Sequence, residues 1–111
     1  MSKPLPPVTA AELKKQLDEG AKLRLLDVRE PAEWISELGH IAGAELVPLG
    51  TVPANLARFQ GEEREIIAIC KSGMRSQQAA DFLAKNGFKV RNLTGGMMAW
   101  RGAGLPTIRE P

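Results

Sequence analysis

Short apolar runs alternate with longer amphipathic stretches along this chain. The clearest run is Ile66-Ile67-Ala68-Ile69, which ends at Cys70, with charge before it and Gly73 soon after. A β-branched run bounded in this way reads as a buried strand. Leu23 to Val28 (LRLLDV) reads likewise, with Leu25, Leu26 and Val28 supplying its core faces. Phe88 to Leu93 is a strand candidate weakened by Arg91 and Asn92, and Glu45 to Val47 is a weak one closed by Pro48. Val8 is a candidate for a sheet edge. Between these runs the spacing turns helical. Thr9-Ala10-Ala11-Glu12 fits a capping box and starts a helix, with Leu13 and Leu17 on its apolar stripe and Gly20 at its end. Pro31 suits the first turn of a short helix. Val52 to Phe59 reads as another, with Leu56 and Phe59 inward and Gly61 after it. A helix beginning at Ser76 places Ala79, Phe82 and Leu83 on one face, and Asn86-Gly87 closes it with a left-handed cap. Gly95-Gly96 is a turn, and Met97 to Arg101 starts a last short helix whose Met97, Met98 and Trp100 are expected to pack. Strands alternating with helices predict an α/β fold, a parallel sheet covered on both faces. Such sheets take their ligands outside the carboxyl ends of the strands.

At 111 residues and 43% hydrophobic, the chain suits one domain with one core. Pro4, Pro6 and Pro7 suggest a flexible arm over residues 1–7, the domain spans 8–106, and Gly104-Leu105-Pro106 leads into a tail over 107–111. Fifteen basic against thirteen acidic residues leave a net charge of +2, too balanced for a nucleic-acid face. One cysteine excludes an internal disulfide, and one histidine without CxxC or HxxxH spacing argues against a zinc site. No metal or other cofactor is expected. MSKPLPPVTA lacks a signal-peptide core, and no apolar run reaches membrane-spanning length. A soluble cytoplasmic protein without a membrane partner is the simplest expectation.

The candidate chemistry sits at Cys70. Lys71-Ser72-Gly73-Met74-Arg75 makes a tight cationic loop between the Ile66 strand and the Ser76 helix. A strand, a Gly-containing turn and a helix start form an anion cradle, because unpaired N–H groups converge there. A cysteine in that cradle should be a low-pKa thiolate, stabilised by the helix start and by Lys71 and Arg75. The plainer alternative is a small core residue at the end of an apolar strand. Asp27 and Arg29, at another strand's carboxyl end, are placed like functional groups or, equally, like a local salt bridge holding a loop. His40, between Gly39 and Ile41, is better read as hydrogen-bonding backbone in a turn than as a general base.

CKSGMRS, Cys70 to Ser76, resembles the active-site loop of the rhodanese (sulfurtransferase) family. LLDVREPAEW (Leu25 to Trp34), GHIAGA (Gly39 to Ala44), GGMMAW (Gly95 to Trp100) and GLP (Gly104 to Pro106) resemble its other markers, in the family's order. The resemblance covers nearly the whole chain. It implies a single rhodanese-like domain, with about five parallel strands and helices on both faces. It implies that Cys70 is catalytic, carrying a sulfane sulfur as a persulfide. Lys71, Ser72, Gly73, Met74, Arg75 and Ser76 would bind substrate, Lys71 by steering the anion. Asp27 and Arg29 would support the loop, with Arg75 bracing it through Asp27 unless Arg29 takes that carboxylate. The donor would be thiosulfate or another small anionic persulfide source. The acceptor would be cyanide, a thiol or a thioredoxin-type protein. Two other readings stand beside it. One is a sulfur-carrier or protein-interaction module on the same fold. The other is a cysteine-dependent phosphatase or arsenate reductase, which the short spacing disfavours: only Lys71 to Met74, four residues, separate Cys70 from Arg75.

Overall fold

The computed structural model describes residues 3–111; Met1 and Ser2, the first residues of the expected arm, lie outside the described residues. The elements run α1 (Ala10–Asp18), β1 (Leu23–Asp27), α2 (Pro31–Trp34), β2 (Glu45–Leu46), two 3-10 turns (Leu49–Thr51 and Pro53–Phe59), β3 (Glu65–Ile69), α3 (Met74–Lys85), β4 (Val90–Asn92) and α4 (Gly96–Gly102). The sheet is wholly parallel, in the order β2-β1-β3-β4. It has four strands rather than about five. Val8 supplies a single parallel bridge to Leu93 beyond the end of β4. The arm follows that edge, where Leu5 N–H donates to the Val90 carbonyl and Arg91 to the Pro6 carbonyl.

Alternation along β3 divides the core. Ile66, Ala68 and Cys70 face α3 and the 3-10 turns, meeting Leu26, Val28, Phe59, Ala79, Ala80 and Leu83. Ile67 and Ile69 face the other way, against Leu13, Leu25, Met97 and Trp100 of α1, β1 and α4. β3 is therefore buried on both faces, which is why its sequence is continuously apolar rather than alternating. Each buried isoleucine contributes about 1.5–3 kcal/mol of transfer free energy. Both cores are built from α/β crossovers, so every strand ends at the same edge of the sheet.

The expected caps are present. Thr9 and Glu12 exchange side-chain hydrogen bonds with each other's backbone N–H. Asn86 ends α3, followed by Gly87 at φ +92°. The short helix expected over Val52 to Phe59 is a 3-10 helix, Pro53–Phe59, with Val52 at its N-cap. One expectation needs correction. Met98 does not pack: it is 54% exposed, while Met97 and Trp100 on the same helix are buried. His40 behaves as expected for a turn residue. Its Nδ1 lies 2.7 Å from the Trp34 carbonyl, and its ring stacks on Trp34 at 3.5 Å. Among the described residues, no helix is long and apolar enough to cross a membrane.

Candidate active site

Three strands deliver polar residues to the carboxyl edge of the sheet: Asp27 from β1, Cys70 just beyond β3 and Asn92 from β4. Cys70 is the next residue on the α3-facing side after Ala68, so its thiol points beneath the start of α3. It is 1% exposed. The chain then turns through Lys71, Ser72 and Gly73. Gly73 takes φ +104°, a conformation open to glycine, and aims its N–H at Cys70 Sγ, 3.0 Å away. α3 begins at Met74, two residues earlier than its apolar spacing predicts, because this glycine closes the turn. Ser76, fully buried, sets its Oγ 3.2 Å from the same sulfur.

The opposite side of the loop is held by α4. Met97 N–H donates to the Cys70 carbonyl at 2.8 Å and Met98 N–H to the Lys71 carbonyl at 3.0 Å. With those carbonyls turned outward, the loop's N–H groups are left for the sulfur. This contact requires Gly96, since a Cβ there would lie 2.3 Å from the Cys70 carbonyl oxygen. Burial pushes the Cys70 thiol up. The Ser76 hydroxyl and the N–H groups of Ser76, Gly73 and Ser72 outweigh it, so the thiol lies below its ordinary range. The expected cations are not the leading cause; neutral donors contribute more than Lys71 or Arg75.

Arg75 does not brace the loop through Asp27. Its guanidinium forms a two-point pair with Glu33 of α2, at 2.7 and 2.8 Å. Arg75 holds the Glu33 carboxyl down to about 2, against partial burial and with help from the Glu30 N–H. Asp27 belongs to Arg29, which reaches it at 2.8–3.2 Å through Nε and Nη2 and also donates from its backbone N–H. Arg29 Nη2 continues to the Gly39 carbonyl at 2.7 Å. Both side chains of the pair are buried, so of the two readings the structure bears out the loop-holding salt bridge. It ties β1 to the GHIAGA turn. Lys71, Ser72 and Met74 are exposed at the mouth, and no ion pair reaches Lys71 among the described residues. Among the described residues, no three His, Cys, Asp or Glu side chains converge as metal ligands would.

Three contributors were not singled out from the sequence as site residues. Glu33 lies inside LLDVREPAEW, but its partner is 42 residues away. Gly96 was legible as a turn and not as the seat of a close approach. Asn92 did leave a signal, a polar residue interrupting a strand. Its Oδ1 accepts from Ser76 at 2.5 Å and its Nδ2 donates to the Gly73 carbonyl at 3.0 Å.

The chain is similar to known proteins over most of its length. The Rhodanese-like domain family matches residues 9–103. YtwF of Bacillus subtilis (strain 168) is 37% identical over 99 residues, covering 89% of this chain and 93% of its own length. A protein of Allochromatium vinosum named "Sulfurtransferase" is 33% identical over 102 residues, covering 91% and 92%. The crystal structure of a rhodanese-related protein from Thermoplasma volcanium superposes with a TM-score of 0.85 at 28% identity, covering 96% of this chain and all of that one. Some other relatives are longer, and this chain spans only 24% or 52% of their length. A parallel α/β sheet, a cysteine cradled at its carboxyl edge and a family match across most of the sequence agree: this chain belongs to the rhodanese-like domain family.

Proposed function

We propose that this protein is a sulfurtransferase working through a persulfide on Cys70, with thiosulfate or a related anion as donor. The observation that carries this reading is the convergence of the Gly73 N–H and the Ser76 hydroxyl on a buried, low-pKa Sγ at the end of β3. Lowering the thiol pKa enlarges the fraction present as thiolate, and the thiolate is the nucleophile. It attacks the outer sulfur of thiosulfate; a new S–S bond forms, the thiosulfate S–S bond breaks, and sulfite leaves with the electron pair. The negative outer sulfur then rests against the N–H groups of the Lys71 to Ser76 loop, which act as an oxyanion-hole-like set of donors. Cyanide or a thiolate attacks that sulfur, and the pair returns to Cys70. Lys71, exposed at the mouth and in no ion pair among the described residues, draws the anionic donor in. Arg75, occupied by Glu33, shapes the loop instead. A lone free cysteine that must stay reduced suits a cytoplasmic setting.

A persulfide-transfer role toward a protein thiol is a second reading with its own observation. The large apolar side chains exposed among the described residues are Ile35, Met74 and Met98, at 47%, 76% and 54%. Met74 begins α3, Met98 bonds the Lys71 carbonyl and Ile35 ends the helix that holds Arg75. A small anion has no use for such a rim.

Intact mass measured after thiosulfate treatment and removal of excess should show one added sulfur atom. It should map to Cys70, disappear with cyanide and be absent in Cys70→Ser. Rapid-quench samples lacking sulfur on Cys70 during a first turnover would overturn the covalent route. Cys70-dependent hydrolysis of para-nitrophenyl phosphate would favour the phosphatase alternative.

A further inference from the structure

The Ser76 hydroxyl has one proton and faces two acceptors. Asn92 Oδ1 lies 2.5 Å from Ser76 Oγ, and Cys70 Sγ lies 3.2 Å from it. The identity of the nearer atom is fixed by its neighbours. The other end of the Asn92 amide is 3.0 Å from the Gly73 carbonyl and 3.3 Å from Gln77 Oε1, so that end must be the donating Nδ2. The end facing Ser76 is therefore an oxygen, which can only accept. In this arrangement the serine proton lies on the Asn92 side, and Ser76 turns a lone pair toward the sulfur.

We infer that Asn92 is a positioning residue that holds the Ser76 hydroxyl proton while Cys70 Sγ is uncharged and yields it when charge arrives on Sγ. The inference rests on the persulfide reading for its place in the cycle. In the persulfide the charge sits on the outer sulfur, and the proton stays with Asn92. When an acceptor attacks the outer sulfur, the S–S electron pair falls back on Sγ. The Ser76 O–H then rotates from Oδ1 to the new thiolate; no proton is transferred. Asn92 thus makes the serine's help conditional on charge, and it opposes resting thiolate formation because Oδ1 loses its donor. The same residue braces the loop through Nδ2, although the Gly73 carbonyl keeps the Gln77 N–H at 3.2 Å without it.

The test reads the thiol itself and needs no sulfur transfer, so it can fail while the persulfide reading stands, and the reverse. Asn92→Leu removes the acceptor at similar volume. In the presence of Ser76 it should move the Cys70 thiol titration, followed by the ultraviolet thiolate band, to lower pH. The thiolate fraction on the acid side should rise about fivefold, the worth of one net hydrogen bond. On the Ser76→Ala background the same substitution should give no such rise. Arg75 with Glu33 from α3 and α2, Asp27 with Arg29 beyond β1, and Lys71 in the loop are present in all four proteins, and the hydrogen bonds from α4 to the loop come from the Met97 and Met98 backbone N–H groups. Equal shifts on both backgrounds, or a shift to higher pH with Ser76 present, would overturn the inference. A second measurement leaves Asn92 in place. The Asn92 side-chain amide resonance should titrate together with Cys70 and lose that step in Ser76→Ala; a flat resonance, or a step retained in Ser76→Ala, would equally overturn it.

Discussion

Removing the carboxylate of Asp27 should unfold this protein far more readily than its distance from Cys70 suggests. Asp27→Leu leaves the volume similar and strands Arg29, whose side chain is 1% exposed. Of its partners only the Gly39 carbonyl at 2.7 Å would remain. Arg29 Nε and its backbone N–H would lose their acceptor, and Nη2 one of its two. Their losses are not additive, and the measured range for breaking a buried pair, about 3–5 kcal/mol, is the better guide. Against a total stability of roughly 5–15 kcal/mol for a small domain, that is a large fraction. It corresponds to a fall of roughly 12–20 °C in melting temperature at about 4 °C per kcal/mol. Urea and thermal unfolding followed by circular dichroism measure it. The double change Asp27→Leu with Arg29→Met should recover most of the loss, because no charge is then left buried and unpaired. A single variant within about 1 kcal/mol of wild type, or a double variant no better than the single, would refute the assignment of this pair as a buried structural clamp.

Glu33→Gln should flatten the acid limb of stability. The folded carboxyl is lowered from 4.5 to about 2, so its contribution is present above the unfolded value and lost as pH falls from about 4.5 to 2. Because the pair is about one-third exposed, the loss is about 1 kcal/mol, read from urea midpoints across that window. Gly96→Ala should displace the loop: φ is +56°, and the added Cβ meets backbone atoms of Cys70 and Lys71 at 2.3–2.7 Å. The left-handed conformation alone costs about 1–2 kcal/mol, and the Cys70 thiol should titrate at higher pH as the N–H groups lose their aim; denaturation and thiol titration check both. Gly73→Val should act through its φ of +104° rather than by collision, since its Cβ would find 3.4 Å to the nearest atom; the persulfide yield after thiosulfate should fall. Lys71→Ala should raise KM for thiosulfate and leave kcat, because a steering charge acts on ground and transition states alike; a collapsed kcat at unchanged KM would make it a transition-state group.

Local physics accounts for what could be read along the chain. β3, the Thr9 capping box, the Pro31 start and the Asn86-Gly87 stop each depend on residues within a few positions of one another, so their signals are written consecutively. The Cys70 loop is of the same kind: strand end, thiol, glycine and helix start are contiguous, and with them the anion cradle is implied. Pairing between distant segments has no such record. Asp27 had two candidate arginine partners in the sequence, Arg29 and Arg75, and nothing local chooses between them. The fold does, by burying Arg29 beside Asp27 and carrying α2 across so that Glu33 meets Arg75. The start of α3 moved to Met74 because a positive-φ glycine, not the apolar stripe, sets where the turn closes. Asn92 weakened a strand prediction because propensity counts its cost in a sheet, while its benefit lies on Ser76 and Gly73, which only the β3–β4 register brings within reach. Sequence alone therefore determined the class of fold and singled out Cys70 as the candidate nucleophile. Tertiary structure decided which charges are paired, which donors reach the sulfur and which acceptors face the Ser76 hydroxyl, because each of those depends on side chains that meet only when the sheet is assembled.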